Sequence, residues 1–310
     1  MKIYYSIDEF KGARNAVVTT GTFDGVHIGH QKILSRMKEI AKPRGGETLI
    51  ISFFPHPRMI LHPEDQNLKL LSSTAEKIKL LDKLEIDHFL IIPFSRDFSN
   101  MSSIDFVQKI LVDRLKTTCL VIGYDHRFGK DREGGFESLV KMGPELGFEV
   151  EEIPEQDINE VAVSSTKIRK ALATGDLDTA NLNLGYPYGL EGMVVHGDQI
   201  GRTMGYPTAN LLIEDPYKLI PSEGIYAVWV YVEEKRYGGM LYIGKRPVLN
   251  KMSLSIEVNI LGFDQDIYRK SIRLELLKYI RKDQKFISLE ALKEQIGKDQ
   301  IEIESFLNSL

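Results

Sequence analysis

The hydrophobic pattern of this chain changes its period near residue 186, and that change constrains the fold more than any other feature. Before it, short apolar runs alternate with longer stretches of helical period; after it, the period is two, which is typical of two-faced strands. Gly185 and Pro187 interrupt both patterns at the change. Since 310 residues also suggest two domains, we expect one domain over residues 1–184 and another over 185–310.

Five apolar runs and five helical stretches make up most of the first half. The predicted strands are residues 16–20, 48–54, 89–92, 120–122 and 148–152. The predicted helices are residues 29–41, 74–84, 102–115, 137–146 and 165–173. The runs are rich in Val, Ile, Leu and Phe, as strands buried on both faces are. The alternation therefore predicts an α/β domain around an open, parallel, Rossmann-like sheet.

The second half reads as an antiparallel β region that ends in a helix. The predicted strands are residues 189–196, 224–232, 240–243, 254–261 and 272–277, and the predicted helix is 288–310. In the fourth of these strands Leu254, Ile256, Val258 and Ile260 share one face, and Ser255, Glu257 and Asn259 share the other. We expect the first face to pack and the second to meet solvent or a ligand.

Charge and cysteine content narrow the classes of partner. Forty basic and 44 acidic residues give a net charge of −4, so nothing favours a phosphate polymer such as nucleic acid. The single cysteine, Cys119, excludes an internal disulfide and favours a reducing cytoplasm. Asp8 and Glu9 stand where a signal peptide would be apolar, and no run approaches about 20 apolar residues, so we expect no membrane partner.

The turn after the first predicted strand has the composition of a phosphate site. It contains Gly21, Thr22, Phe23, Asp24, His27, Gly29 and His30 and leads directly into a helix. A glycine-interrupted turn of this kind exposes backbone N–H groups at the positive end of a helix dipole. Two imidazoles beside it add donors for a phosphate chain. The alternative is a polar loop whose glycines serve turn geometry and whose histidines are solvated.

A second glycine-rich stretch, residues 197–210, lies in the β region. Its polar and turn residues are Gly201, Arg202, Gly205, Tyr206, Pro207, Thr208 and Asn210. Glycines allow backbone amides to approach phosphate, and Thr208 and Asn210 can direct hard oxygens to one side, which suits Mg²⁺. The chain has no Walker pattern, so a kinase here is not of the P-loop type. A long hairpin loop with turn glycines is the alternative.

Several of these motifs together resemble a known family. Residues 21–31 are similar to the His-x-Gly-His signature of nucleotidyltransferases, in the form found in bacterial bifunctional riboflavin kinase/FAD synthetases (FMN adenylyltransferases). Residues 53–57, 123–129 and 164–169 match the same family in order, and 207–210 match the ending of its flavokinase motif. The resemblance implies a nucleotidyltransferase domain of Rossmann-like α/β fold, then an antiparallel β-barrel flavokinase domain with a C-terminal helix.

The resemblance also implies two reactions and their residues. The first domain would adenylylate FMN with ATP to give FAD and pyrophosphate, and the second would phosphorylate riboflavin with ATP and Mg²⁺ to give FMN. The residues implied for the first reaction are His27, His30 and Arg169 in catalysis, with Ser164, Ser165 and Thr166 on the triphosphate and Asp125 and Arg127 near flavin or nucleotide. In the second, the family assigns Thr208 to the Mg²⁺ shell, with Asn210 beside it, and Glu257 as the base.

Two segments depart from the family pattern. Residues 242–248 read Tyr-Ile-Gly-Lys-Arg-Pro-Val where Asn-Ile-Gly-x-x-Pro-Thr is usual, and 268–270 read Tyr-Arg-Lys in place of Tyr-Gly-Lys. Two alternatives therefore stay open: a nucleotidyltransferase for another phosphorylated acceptor, and a flavin-binding protein with a degenerate kinase site. The sequence does not indicate an oligomeric state.

Overall fold

The computed structural model describes residues 1–65, 68–124, 127–153, 163–197, 200–248 and 251–310. The chain divides into two compact units, Met1–Ser165 and Thr166–Leu310. Each unit has its own sheet and its own buried apolar core. Among helices in the described part of the chain, none combines the length and the apolar character that crossing a membrane requires.

Six parallel strands form the sheet of the first unit. They are β1 Lys2–Tyr4, β2 Ala16–Thr20, β3 Thr48–Phe54, β4 His88–Pro93, β5 Thr117–Gly123 and β6 Glu149–Ile153. Their order is β1-β4-β3-β2-β5-β6, and every neighbouring pair is parallel. The predicted Rossmann-like sheet is confirmed. Sequence analysis missed β1, because a strand of three residues is too short to show a period.

Helices follow or connect these strands. They are α1 Ile28–Ala41, α2 Pro57–Leu61, α3 Thr74–Lys83, α4 Arg96–Ser99, α5 Ser103–Asp105, which continues as a π-helix over Phe106–Arg114, α6 Phe136–Leu146 and α7 Ser165–Thr174. Both faces of the sheet are covered. Leu34 and Leu81 of α1 and α3 pack with Val17 on one face, and Phe106 and Leu139 pack with Val18 on the other. This two-sided burial explains why the strands are apolar throughout.

The position of β2 in the sheet determines where a ligand can bind. The chain goes from β2 to β3 on one side, and it later returns to β5 on the other side of β2. The connections after β2 and β5 therefore lead away in opposite directions, which opens a crevice at the carboxyl ends of these strands. Ligands of open α/β sheets bind at such a point, and the turn that follows β2 is the segment that contains Gly21, His27 and His30.

The second unit is a closed six-stranded barrel. Its strands are β7 Tyr188–Val195, β8 Ala209–Leu212, β9 Gly224–Val232, β10 Lys235–Val248, β11 Lys251–Ile260 and β12 Ser271–Arg281, and its further helices are α8 Leu177–Leu184, α9 Ile200–Thr203 and α10 Leu289–Leu307. The strands close in the order β10-β11-β8-β7-β12-β9, with antiparallel pairs throughout. The antiparallel barrel with a C-terminal helix is confirmed, whereas β8, α8 and α9 were not predicted.

Helix α10 covers part of the outer barrel face. Its Ile303 and Leu307 pack with Ile225, Ala227 and Met240 of β9 and β10. A buried ion pair fixes the helix as well: Arg281, at the end of β12, donates to both carboxylate oxygens of Asp299 at 2.7–3.1 Å. The helix is therefore packed firmly against the barrel strands at this face.

The polar face of β11 is buried, which excludes one of the two expectations for it. Glu257 and Asn259 are only 6% and 7% exposed, so they do not meet solvent. The segment before β8 covers them: the Asn259 amide donates to the Pro207 carbonyl at 2.7 Å. Leu254, predicted to pack, is instead 47% exposed, since it pairs with exposed Lys245 toward one end of the strand. The face that carries Glu257 is therefore covered by protein, and its role as a ligand face stays a prediction.

Candidate active sites

The turn after β2 has an unusual backbone. Phe23, Gly25 and Val26 all have positive φ, at 48°, 76° and 38°. Such angles are costly for residues with a side chain, and Phe23 offsets the cost by being almost fully buried in the core. The turn thereby bends sharply from the end of β2 into α1, and Gly21 and Thr22 lie at its start.

Asp24 is held from three directions within this turn. Its carboxylate accepts from the backbone N–H groups of Leu71 and Ser72, each at 3.1 Å. The Ser72 hydroxyl accepts in turn from Gly25 N–H at 3.0 Å, and the Ser165 hydroxyl donates to the Asp24 carbonyl at 3.1 Å. Asp24 was predicted to bind a ligand; in the structure its carboxylate fastens the turn to the segment at Leu71 and Ser72.

His27 and His30 lie together at the start of α1. Their rings stack with centroids 3.7 Å apart, and His27 caps the helix by accepting from His30 N–H at 3.4 Å. The Nδ1 atom of His30 is buried and has no hydrogen-bond partner. Burial, with smaller contributions from His27 and Lys77, holds the pKa of His30 well below its ordinary value. His30 is therefore a neutral imidazole with an unused polar atom at a helix N-terminus.

Gly29 allows this stacking. A Cβ at residue 29 would lie 3.1 Å from Cγ1 of Val163 and 3.3 Å from the His27 ring. These distances are tight for any side chain, so the glycine keeps the helix start close to its neighbours. Two of the three glycines in the predicted phosphate turn, Gly21 and Gly29, thus stand where the backbone runs close to a ring or another segment.

The other residues predicted for the first site are spread over several segments. Ser165 contacts the turn through the Asp24 carbonyl, and Ser164 just before it is exposed. Thr166 and half-buried Arg169 lie on α7, in the second compact unit. Arg127 is exposed and packs over Gly135, where a Cβ would lie 1.8 Å from its Nη1 atom. Asp125 lies outside the described residues. The ligand roles of all these residues stay predictions.

In the second unit, the glycine-rich stretch forms a compact turn before β8. Tyr206 N–H donates to the Gly201 carbonyl at 2.8 Å, and Gly205 has a φ of 87°. A Cβ at Gly201 would lie 2.3 Å from the Tyr206 carbonyl oxygen and 3.4 Å from the Thr208 hydroxyl. Arg202 is exposed at this turn. The glycines therefore bring the backbone against the residues that follow it.

This turn brings Thr208 to Glu257. The Thr208 hydroxyl donates to one carboxylate oxygen of Glu257 at 3.2 Å, and Asn210 is the cross-strand partner of Glu257 between β8 and β11. The Ser255 hydroxyl donates to the other carboxylate oxygen at 2.7 Å. The structure thus brings together Thr208, Asn210 and Glu257, three of the residues predicted for the second site; Glu257 is buried there and the other two are partly buried.

Comparison with known proteins settles the family. The FAD synthetase model matches residues 9–167, and the riboflavin kinase model matches residues 184–307. A Listeria monocytogenes protein is 37% identical over 297 residues, 96% of this chain and 94% of the relative. An Escherichia coli K12 protein is 36% identical over 309 residues, 99% of this chain and 98% of the relative. Both are named bifunctional riboflavin kinase/FMN adenylyltransferase. The chain belongs to this family.

A solved structure is similar over both units. It is described as a macrolide-efflux protein from Streptococcus pneumoniae, with 29% sequence identity, a TM-score of 0.85 and 96% coverage of each chain. That description differs from the names of the sequence relatives. Since the two family models agree with the relatives in both identity and order, membership of the riboflavin kinase/FMN adenylyltransferase family rests on them.

Sequence reasoning missed Lys77 in the first site of this family member. Its ammonium donates to the Thr22 carbonyl at 2.6 Å, and it lines a small cavity with Asp24, Ser52 and His56. Burial lowers the pKa of Lys77, while the charge of Asp24 opposes that effect. Lys77 lies on α3 among other charged residues, so its sequence context indicated an ordinary solvated helix face. Ser255, which holds Glu257, was missed because a single serine in a strand gives no signal.

The donors of the second site suit a divalent metal ion of the kind that generally accompanies ATP. Thr208 and Asn210 offer a hydroxyl and an amide oxygen, and both are hard ligands of the kind Mg²⁺ prefers. The Asn210 amide lies so close to the backbone that a Cβ at Gly197 would be 2.3 Å from its Nδ2 atom. The residues present therefore fit the ion.

The two departures from the family pattern have defined positions. Tyr242 pairs across the sheet with Glu257, and its hydroxyl donates to Asp283 at 3.1 Å. Arg269 has a φ of 63°, a left-handed conformation that glycine adopts more readily. The family usually has glycine there, so the chain keeps the backbone turn although the side chain differs.

Proposed function

We propose that this chain phosphorylates riboflavin to FMN in its C-terminal domain, residues 185–310, and adenylylates FMN to FAD in its N-terminal domain, residues 1–184, with ATP as the donor in both. The contact between Thr208 and Glu257, 49 residues apart, carries the proposal. It joins the end of the flavokinase motif to a buried carboxylate, which a nucleotidyltransferase for another acceptor would not need. The family of the chain supports both halves.

In the first reaction, a phosphate oxygen of FMN attacks the α-phosphorus of ATP, and the bond from that phosphorus to pyrophosphate breaks. This displacement needs fixed donors that stabilise the transferring and leaving groups, and it needs no protein nucleophile. His27, His30 and the N-terminus of α1 would supply donors at the turn. The backbone of residues 21–29 would approach the phosphates, while Ser164, Ser165, Thr166 and Arg169 would hold the triphosphate.

In the second reaction, a ribityl hydroxyl of riboflavin attacks the γ-phosphorus of ATP, and ADP leaves. Glu257 orients the hydroxyl and accepts its proton late in the transfer, since the transition state is loose. Ser255 and Thr208 fix the two carboxylate oxygens for that task. Thr208 and Asn210 would hold Mg²⁺, which neutralises phosphate charge when it is bound.

The proposal also covers the domain boundary of the chain and its cellular compartment. We place the domain boundary between residues 184 and 185, and the riboflavin kinase match, which begins at residue 184, supports this position. We also place the enzyme in a reducing cytoplasm, since its single cysteine, Cys119, is a buried thiol. Its partners are then the small molecules ATP, riboflavin and FMN.

Incubation with riboflavin, ATP and Mg²⁺, followed by chromatography, tests the proposal. We expect FMN to form first and FAD to follow, with pyrophosphate released in the second step. Formation of neither flavin product would overturn the proposal. Flavin binding without turnover would favour the degenerate flavin-binding protein, and turnover of ATP only with another phosphorylated acceptor would favour the alternative nucleotidyltransferase.

A further inference from the structure

The turn that follows β2 needs support from outside itself. Three of its residues, Phe23, Gly25 and Val26, have positive φ, so the turn does not hold this shape by local preference alone. The residues that fasten it come from other elements. Two donors converge on the Thr22 carbonyl: the Ser52 hydroxyl of β3 at 3.3 Å and the Lys77 ammonium of α3 at 2.6 Å.

Of the two residues that donate to the Thr22 carbonyl, Lys77 is the charged one. Its side chain is half-buried, and a cation in that position costs free energy unless its surroundings compensate. The Thr22 carbonyl gives it a short hydrogen bond, and the Asp24 charge favours its ammonium form. A lysine turned inward with both compensations differs from the solvated lysines of an ordinary helix face, which keep their ammonium groups in water.

The same ammonium acts on His30. The groups with charge or titration around His30 are His27, stacked on it from the helix start, and Lys77 from α3, with Asp24 beside Lys77. Burial is the largest cause of the low pKa of His30, and both neighbouring bases lower it further. A neutral imidazole with an unpartnered Nδ1 is ready to take a proton or a hydrogen bond when an anionic phosphate arrives.

We propose that Lys77 is a positioning residue of the adenylyl-transfer site. It holds the Thr22 carbonyl of the phosphate turn through a hydrogen bond, and its positive charge acts on the His30 ring. This inference rests on the function proposed above. Lys77 acts through the turn and through His30, so its removal should change the protonation of His30 as well as the rate. Lys77→Arg, which keeps the charge, separates this role from a purely structural one.

The test compares three variants of the full chain: Lys77→Met, Lys77→Arg and Lys83→Met, the last an exposed lysine on the same helix. FAD formation from FMN is measured from pH 5 to 9, riboflavin phosphorylation is measured alongside, and the ring signal of His30 is titrated by NMR. A His30→Gln variant assigns that signal. The NMR spectrum also reports whether the first unit of each variant is folded, and riboflavin phosphorylation reports whether the second unit is intact.

For Lys77→Met we expect FAD formation to fall about tenfold or more and the His30 midpoint to rise, because a positive charge that opposes protonation of the ring is removed. Lys77→Arg keeps the charge and should retain a low midpoint and most of the rate, and Lys83→Met should match the parent protein. An unchanged His30 midpoint in Lys77→Met would overturn the inference, whatever its rate. If Lys77→Met does not fold, Lys77→Gln, which removes the charge but keeps a donor, replaces it under the same criterion.

A different result would overturn the proposed function. If the parent protein forms no FAD from FMN, adenylyl transfer is wrong for this chain, whereas the titration of His30 still decides whether Lys77 sets its charge. The two failures are therefore distinguishable in one set of samples.

Discussion

His27 and His30 share a turn and differ in what their rings do. The His27 ring caps the helix, because it accepts a hydrogen bond from the His30 backbone N–H. The Nδ1 atom of His30 has no partner, so that ring keeps a polar atom for a ligand. Of the two, His30 is thus the residue whose loss should affect chemistry more than folding.

We expect His30→Ala to lower FAD formation from FMN about a hundredfold, which corresponds to about 3 kcal/mol of transition-state stabilisation. A donor at a helix N-terminus acts on charge that develops in the transition state, and alanine has none. The measurement is the rate of FAD formation at saturating FMN and ATP. Riboflavin phosphorylation by the same variant is the control and should not change. An unaltered rate of FAD formation would refute the role of His30.

Glu257 is a buried carboxylate with a specific environment. Hydroxyls of Ser255 and Thr208 donate to its two oxygens, so it is oriented from both sides. Replacement by glutamine keeps the size and removes the proton acceptor. We expect Glu257→Gln to slow FMN formation by about 10²-fold or more, with FAD formation from FMN retained.

The control for that variant is Glu234→Gln, an exposed glutamate in the same unit. It should leave both activities at the parent level, which would show that removing one carboxylate from the barrel is not in itself damaging. Loss of both activities in Glu257→Gln would point to misfolding, and retention of FMN formation would exclude Glu257 as the base.

Helix α10 shows how one element depends on a single buried pair. The Asp299 carboxylate receives Arg281 from β12 and also the Gln295 amide at 2.9 Å. Asp299→Ala would leave a partly buried guanidinium without its partner, and breaking a buried pair in this way costs about 3–5 kcal/mol. We expect the second unit to lose that much free energy of unfolding.

Fluorescence of Trp229 is suited to this measurement, because it is the only tryptophan of the chain and packs in the cluster under α10. Chemical denaturation followed at Trp229 therefore reports the barrel and its helix. The matched variant is Lys298→Ala, one residue earlier on α10, whose ion pair with Glu294 is exposed. It should change stability by less than about 0.5 kcal/mol. Equal effects of the two variants would contradict the role of the buried pair.

Elements also show why some of the structure was predictable. β2 and β3 begin and end at the predicted residues, because each is an apolar run bounded by turn residues. β8 was missed since it has four residues and follows a glycine- and proline-rich stretch that indicates a loop. The neighbours of Glu257 were partly predictable from motifs. Its burial was not, because it requires the segment after the turn at Gly201 to pack on β11, which is distant in sequence.

Lys77 illustrates the same limit at the first site. Its partner, the Thr22 carbonyl, is 55 residues away in sequence and is a backbone atom. Neither helical period nor a family motif can indicate such a contact. What the sequence does predict well is the turn itself, since glycines and histidines between a strand and a helix have few other uses.

At the scale of the whole molecule, a net charge of −4 must be reconciled with two sites for ATP. Each site contains local means of holding phosphate. The first has a helix N-terminus and two imidazoles, and the second has glycine amides beside hard oxygen ligands. Because these donors act at contact distance, neither site needs a basic surface to attract its substrate.

A further prediction follows because the two sites are separate and share one intermediate. FMN is the product of the second unit and the substrate of the first, so chains that each lack one activity should complement each other in solution. We expect a mixture of His30→Ala and Glu257→Gln to form FAD from riboflavin after a lag, and much faster than either variant does alone. The lag arises because FMN must leave one chain and bind to another.

The length of that lag is the measurement, followed by chromatography of FMN and FAD over time. Diluting the mixture should lengthen the lag, since free FMN then accumulates more slowly, whereas the lag of the parent protein provides the reference. An added apoprotein that sequesters FMN should suppress FAD formation in the mixture. If the mixture forms no FAD while each variant keeps its remaining activity, FMN is passed on only within one chain, and free exchange between the two sites is wrong.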